Sequence, residues 1–309
     1  MLGKSRLGLP IVLVLLMGLI AGCSGTEEAL KAAEIYAKSI EAMSEVNSYE
    51  FDIEMFQVME MPESVQEPDM PDKLEIQTRG TGRAVMDPVA MEMTLSMHMP
   101  FLVNFPEAAE FGDLEMQMYM VENQMYIYDS MSGIWMSQDL GDYGLELEDL
   151  MEFSMDDTDP MQLLTMLGDD GAAAASLKTV DNKYYLITLE DAEGEVMQRI
   201  IDEYIKDELA DSLAEFDIEA AFEELFDMAT FADIRYKIWI DMESYYTTKA
   251  EMSFSIVINI EGETIKTTQT ALMAFKDFNT FDSITVPDKV KDNAVPLVEL
   301  FEFMELELQ

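Results

Sequence analysis

The chain has 309 residues, 63 of them acidic and 18 basic, and a net charge of −45 at pH 7. A charge of this sign argues against nucleic acid as a partner, because nucleic-acid-binding proteins need a basic surface, and against a surface that lies flat on anionic lipid. Since 49% of the residues are hydrophobic and only one is cysteine, we expect a folded protein without disulfides.

The first residues have the composition of a leader. Lys4 and Arg6 precede an almost wholly apolar run over residues 7–19. A helix that crosses a bilayer needs about 20 apolar residues, so a run of this length is typical of the core of a signal peptide rather than of a permanent anchor.

The leader ends in Ile20-Ala21-Gly22-Cys23, which resembles the lipobox of bacterial lipoproteins. The resemblance implies a lipoprotein signal peptide over 1–22, cleavage before Cys23, and acylation of Cys23 with palmitate or a similar fatty acid. Residues 23–28 would then form a lipidated tether on the extracytoplasmic face of the cell membrane. The alternative is a free thiol in an uncleaved leader.

After the tether, the hydrophobic pattern predicts one helix and then a series of strands. The helix covers 26–46, with Thr26 as its N-cap. Its apolar residues at helical spacing are Leu30, Ala33, Tyr36, Ala37, Ile40 and Met43. The period then changes to two, which predicts half-buried antiparallel strands, each with one dry and one wet face. The alternating segments are 49–55, 74–84, 89–99 and 114–120.

The middle of the chain predicts helices, and the end predicts long strands. Helices are expected over 145–154, over 160–168 and over 192–229, where a phase shift at Asp217 predicts either two helices or one kinked helix. The chain returns to strand by about Leu177, between the second and third helices. Long strands follow at 231–241, 246–260 and 264–277. Strand runs broken by a helical block indicate an α+β fold with one large sheet.

Four segments carry a resemblance to a known family: VNSYEFDIEM, MYIYDSMSGIWMSQ, YKIWIDMESYYTTKAEM and FKDFNTFDSITVPDKV. With the helix before them, they resemble uncharacterised Gram-positive lipoproteins similar to the LolA-like superfamily, which includes LppX/LprG-type lipoproteins. The resemblance implies a strongly curved antiparallel sheet, a half-barrel, packed on helices over 29–290. It also implies a helical insert at about 141–229, an acidic C-terminal tail over 291–309, and a lipid or acyl chain held between sheet and helices.

The residues predict no catalytic or metal centre, and therefore no enzyme and no cofactor. The chain has one histidine, His98, which lies within a predicted strand, and it contains no nucleophile-elbow sequence. Paired-histidine zinc sites need more than one histidine. Gly80 and Gly82 lie inside a predicted strand and lack the third glycine and the helix of a dinucleotide loop. Such glycines let a sheet bend.

The methionines leave three interpretations open. They recur at spacing two in both 91–99 and 114–120, and so share a strand face. They form a hydrophobic core, line an adaptable apolar cavity, or bind Cu(I) through their thioethers. His98 has the opposite parity and is badly placed to join a copper site.

The sequence therefore predicts a lipid-anchored protein that binds or carries a lipid or another hydrophobic molecule. The alternative is a non-catalytic envelope interaction or sensor protein with a filled core; its protein partner is unknown. The candidate ligand-binding residues are Met91, Met93, Leu95, Met116, Met118, Met252, Phe254 and Ile256.

Overall fold

The computed structural model describes residues 27–62, 71–105, 109–143, 175–195, 228–260 and 263–297. This part of the chain holds two α-helices, α1 (Glu27–Ser44) and α2 (Asp288–Asn293). Its strands are β1 Ser48–Glu60, β2 Lys73–Met86, β3 Val89–His98, β4 Asp113–Val121, β5 Gln124–Asp129, β6 Trp135–Asp139, β7 Ala175–Val180, β8 Tyr184–Asp191, β9 Ala229–Asp241, β10 Thr247–Ile260, β11 Glu263–Lys276 and β12 Val295–Pro296. Within these residues, no helix is long and apolar enough to span a membrane.

All twelve strands form one sheet, in the order β12-β6-β5-β4-β3-β2-β1-β11-β10-β9-β8-β7. The strands β1 to β6 follow one another outward from the centre, and β11 back to β7 do the same on the other side. The two halves meet where β1 pairs with β11 over the whole span from Glu50 to Glu60. Every pairing is antiparallel except the short contact between β12 and β6. Long-range pairing between β1 and β11 therefore makes one sheet from two meanders.

Helix α1 packs on one end of the sheet, against β7, β8 and β9. Ala32 of the helix lies fully buried against Ile187, Ile238 and Ile240. Burying each isoleucine contributes roughly 1.5–3 kcal/mol, and the small alanine lets the helix approach closely. Ser39, also buried, shares a hydrogen bond of 2.9 Å with Thr247, so its hydroxyl is satisfied.

The buried side of α1 differs in phase from the predicted apolar stripe. Ala32, Ile35, Tyr36 and Ser39 face the sheet, whereas Ile40 is 48% exposed. The predicted stripe included Tyr36, which does face the sheet, but it had Ala33 and Ala37 in place of Ala32 and Ile35. The close packing instead places the two small residues, Ala32 and Ser39, at the contact.

The chain after β11 crosses one end of the sheet and packs there. Ile284 is buried with Val85 and Ala90, and Phe281 packs beside them. Asn279 fixes the start of this segment because its side-chain oxygen accepts a hydrogen bond of 2.7 Å from the Asn47 amide. Residues 288–297 continue into α2 and β12, so the first residues of the predicted tail belong to the fold.

The predicted fold class, an α+β half-barrel packed on helices, is wrong. The structure is mostly a large open antiparallel sheet, curved but with few helices in the described residues. The predicted alternating segments all lie in strands, but the sheet also contains strands that were not predicted, including β5 and β6. The predicted helices at 145–154 and 160–168, and almost all of that at 192–229, lie outside the described residues.

Candidate functional site

The candidate residues of β3 and β4 face one another across a single antiparallel pair. Met93 is opposite Met118, and Leu95 is opposite Met116. Directly opposed side chains have Cβ atoms about 4.5–5.5 Å apart, so these four residues contact one another. Met91 extends the same row and is opposite Met120. The structure therefore brings the five predicted residues of β3 and β4 together.

The other three candidates, Met252, Phe254 and Ile256, lie on β10 on the same face of the sheet. The register connects the two groups: Leu95 is opposite Gly80, Gly80 opposite Ile53, Ile53 opposite Met273, and Met273 opposite Ala250. Because side chains alternate along a strand, Met252 shares the face of Ala250. β10 lies four strand spacings from β3, which is about 19 Å, so the two groups are separate parts of one surface.

We call this surface the methionine face, because it carries every methionine of the described strands. The side-chain parity set by the register assigns all of them to one side. They are Met55, Met59, Met86, Met91, Met93, Met97, Met116, Met118, Met120, Met125, Met136, Met252 and Met273. The candidate ligand-binding residues predicted from the sequence include only five of them: Met91, Met93, Met116, Met118 and Met252. A parity count anchored to one known pairing finds the other eight.

The methionine face is only partly buried. Met55 is 37% exposed and Met116 is 39% exposed, and most of its other methionines are half-buried. Burial is complete where Phe51 and Ala84 join Tyr49 in a core cluster, against which Met91 and Met93 pack, and where α1 covers the isoleucines of β8 and β9. Burial raises the pKa of the Tyr49 phenol.

Two glycines shape the middle of this face. A Cβ atom on Gly82 would lie 2.7 Å from the Glu92 carbonyl oxygen and 2.8 Å from Cε2 of Phe51, so the Phe51 ring occupies the space over β2. At Gly80 the Leu95 side chain takes the same place. Glycine at these positions lets side chains of β1 and β3 cover the β2 backbone.

Most charged side chains of the strands lie on the opposite face, which we call the polar face; the exceptions include Asp129, which is opposite Met116, and Glu263. Three of its cross-strand ion pairs have a nitrogen–oxygen distance of 2.6 Å: Arg83–Glu92, Lys237–Glu251 and Lys276–Asp52. The hydrogen bond with Glu92 raises the pKa of Arg83. The chemistry of the two faces is therefore separate: one is apolar and polarisable, the other hydrogen-bonding and charged.

His98 lies on the polar face, as its parity predicted. Its Nδ1 is 2.6 Å from Oδ1 of Asp113, and both side chains are exposed. In the described residues, no group of three or more His, Cys, Asp or Glu side chains is placed to hold a metal ion. The imidazole therefore cannot join the thioethers of β3 and β4 as a copper ligand.

The position of one hollow bears on whether the protein encloses an apolar ligand cavity or has a filled core. A hollow of about 380 Å³ formed by described residues opens on the polar face, over β1 to β4. It is lined by charged and hydroxyl side chains, such as Glu50, Arg83 and Thr94. Met93 and Met118 also border the hollow, although the register assigns their side chains to the other side of the same strands.

The comparison with protein families gives one match over most of the chain. Residues 31–295 match a family described as "Family of unknown function (DUF6612)". No curated protein matches the sequence.

Proposed function

We propose that this chain, which belongs to the DUF6612 family of unknown function, binds a hydrophobic molecule, such as a lipid, on its methionine face. In this proposal the protein is held by lipid on Cys23 at the extracytoplasmic side of the cell membrane and has no catalytic role. The observation that carries the proposal is the confinement of every described strand methionine to one half-exposed face.

The choice of methionine supports binding rather than packing alone. Strands favour β-branched and aromatic residues, which fit a pleated surface. A core that only had to exclude water would be served by valine and isoleucine, as it is where Ile187, Ile238 and Ile240 pack against α1. Methionine is unbranched and polarisable, so it adapts to apolar partners of varying shape. The residue type changes from isoleucine near α1 to methionine over β3 and β4.

The exposure of the face supports the same conclusion. Large apolar side chains that remain exposed in a contiguous patch mark binding surfaces in soluble proteins. Met55 and Met116 keep more than a third of their surface exposed. An acyl chain laid on this surface gains roughly 0.8 kcal/mol for each methylene that it buries. Ten such groups would contribute about 8 kcal/mol, which only equals the free energy of micromolar binding. A chain with about sixteen buried methylenes, about 13 kcal/mol, is needed once the cost of association is included.

The test is a titration of the unlipidated form, residues 24–309, with a fluorescent fatty acid. Met116→Asp should weaken binding about tenfold or more, because the new carboxylate must lose water against an apolar ligand. Phe56→Asp is the matched control. Phe56 is 40% exposed, close to the 39% of Met116, but it lies on the polar face. This control should bind the probe as the parent protein does.

A second variant examines the other part of the face. Phe254→Asp should also weaken probe binding if ligands extend from β3 toward β10. Circular dichroism must show that each variant keeps the fold. If the parent protein shows no saturable binding and organic extraction releases no lipid, the proposal fails. The alternative would then be favoured, a non-catalytic envelope interaction or sensor protein whose core is filled.

A further inference from the structure

The polar face carries a hollow that the proposed function does not use. Its volume of about 380 Å³ lies within the range of small-molecule sites, roughly 300–1,000 Å³. It is bounded by two neighbouring rows of side chains that run across the strands. We call the row of Lys276, Glu50, Arg83 and Glu92 the wall, and the row of Asp52, Thr81, Thr94 and Gln117 the floor. The wall is charged, and Asp52 is the one charged residue of the floor.

The wall alternates in charge across the strands. Lys276 is opposite Glu50, Glu50 opposite Arg83, and Arg83 opposite Glu92. With Asp52 at the end of the floor, three carboxylates meet two cations, and the Arg83–Glu92 and Lys276–Asp52 pairs are closed at 2.6 Å. The hollow is therefore close to neutral, although the whole chain carries a charge of −45. Such a lining does not select a strongly charged ligand.

The floor offers hydrogen bonds without charge. Thr81 is opposite Thr94, and Thr94 is opposite Gln117. Both threonines are exposed. Within the described residues, neither hydroxyl nor the Gln117 amide has a hydrogen-bond partner. These three groups can both donate and accept hydrogen bonds.

The floor row continues beyond the hollow into aromatic rings. Gln117 is opposite Tyr128, and Tyr128 is opposite Trp135. The ring centroids of Tyr128 and Trp135 are 5.5 Å apart, and those of Tyr119 and Trp135 are 5.8 Å apart. All three rings are half-exposed. From Thr94 to Trp135 the row spans three strand spacings, about 14 Å.

We propose that this row binds a neutral oligosaccharide. A sugar ring has an apolar C–H face that stacks on Tyr or Trp, whose rings combine an apolar body with a polar tip. Its hydroxyl edges donate and accept hydrogen bonds, as the Thr81, Thr94 and Gln117 side chains do. It carries no charge, which suits the neutralised wall. The row is longer than one sugar ring, so the ligand class is an oligosaccharide rather than a monosaccharide.

The site lies on the opposite side of the sheet from the methionine face, so it goes beyond the proposed function and does not depend on it. Binding of a sugar should not change the affinity measured in the fatty-acid titration. A negative result in either assay does not refute the proposal that the other assay tests. The fluorescence of Trp135 reports binding at this row. The chain has two tryptophans, so the second one must be removed for this signal to be specific. The other, Trp239, lies on β9 with Lys249 Nζ 4.4 Å from its ring centroid.

The experiment uses the full-length Trp239→Phe protein in a detergent without a sugar headgroup. Its Trp135 fluorescence is followed during titration with chitotetraose, with maltotetraose and with an acidic tetrasaccharide of uronic acids. We expect a saturable change with at least one neutral sugar and weaker binding of the acidic one. The double variant Thr81→Val/Thr94→Val should weaken neutral-sugar binding about tenfold or more, since two hydrogen-bonding groups are lost.

Thr270→Val is the matched control, because Thr270 is exposed on the polar face but lies on β11 outside the hollow. It should leave the affinity unchanged. Valine is well accepted in strands, and circular dichroism checks the fold of each variant. Three outcomes would overturn the proposal: no saturable binding of either neutral sugar, tighter binding of the acidic sugar, or equal affinities in the double variant and its parent.

Discussion

Replacing Gly82 with alanine should destabilise the sheet more than the same replacement at Gly80, two residues earlier on β2. At Gly82 the added Cβ would lie 2.7 Å from a backbone oxygen, that of Glu92, and would also meet the Phe51 ring. At Gly80 its nearest neighbour is the end of the flexible Leu95 side chain, and the nearest backbone oxygen, that of Thr94, is 2.9 Å away. Leu95 can rotate away, whereas the β3 backbone moves only if the register with β2 is disturbed.

The two clashes lead to different free energies of unfolding. Overpacking of a fixed site costs about 1–3 kcal/mol, and alanine returns about 0.4–1 kcal/mol by restricting the unfolded chain. The free energy of unfolding should therefore fall by about 1–2 kcal/mol for Gly82→Ala. For Gly80→Ala, Leu95 can give way and the 2.9 Å approach to the Thr94 oxygen remains, so the loss should be smaller than for Gly82→Ala.

Urea unfolding of the unlipidated protein, followed by far-UV circular dichroism and extrapolated to water, measures both values. The parent protein and the two variants are compared at the same pH and temperature. Equal stabilities of the two variants, or a Gly82→Ala protein as stable as the parent, would refute the packing of Phe51 over β2.

Two further changes test other parts of the molecule. Cys23→Ala should abolish lipidation, so intact mass spectrometry should show no acyl increment and the protein should leave the membrane fraction; an acyl increment that persists would exclude Cys23 as its site. Burial raises the pKa of Tyr49, so the folded protein keeps a phenol proton that the unfolded chain releases, and the free energy of unfolding should fall as pH rises above about 10. Tyr49→Phe should reduce that fall in urea titrations at pH 8 and pH 11, and an unchanged pH dependence would show that Tyr49 is not its cause.

The sequence predicts the strands of this protein better than their arrangement. The three long strands were expected at 231–241, 246–260 and 264–277 and are found at Ala229–Asp241, Thr247–Ile260 and Glu263–Lys276. Alternation is a local signal, so one chain is enough to detect it. Which strands pair is not local: β1 lies beside β11, more than 200 residues away in the chain, and no residue of β1 indicates that partner.

The candidate site shows the same limit. Spacing alone placed Met91 and Met93 on one face of β3, and Met116 and Met118 on one face of β4. Only the register shows that these two faces coincide, and that Met252 of β10 shares the surface at a distance. The proposed sugar-binding row could not be predicted from the sequence at all. Thr94, Gln117, Tyr128 and Trp135 each come from a different strand and are aligned only by pairing.

The most direct test of hydrophobic binding on the methionine face is photocrosslinking with a fatty acid that carries a diazirine in its acyl chain. After irradiation of the unlipidated protein, mass spectrometry locates the labelled residues. Saturable labelling is expected at Met91, Met93, Met116 and Met118, and unlabelled fatty acid should compete with it. Their polar-face neighbours Glu92, Thr94 and Gln117 should remain unlabelled. Labelling confined to those neighbours, or labelling that excess fatty acid does not compete, would contradict binding on the methionine face.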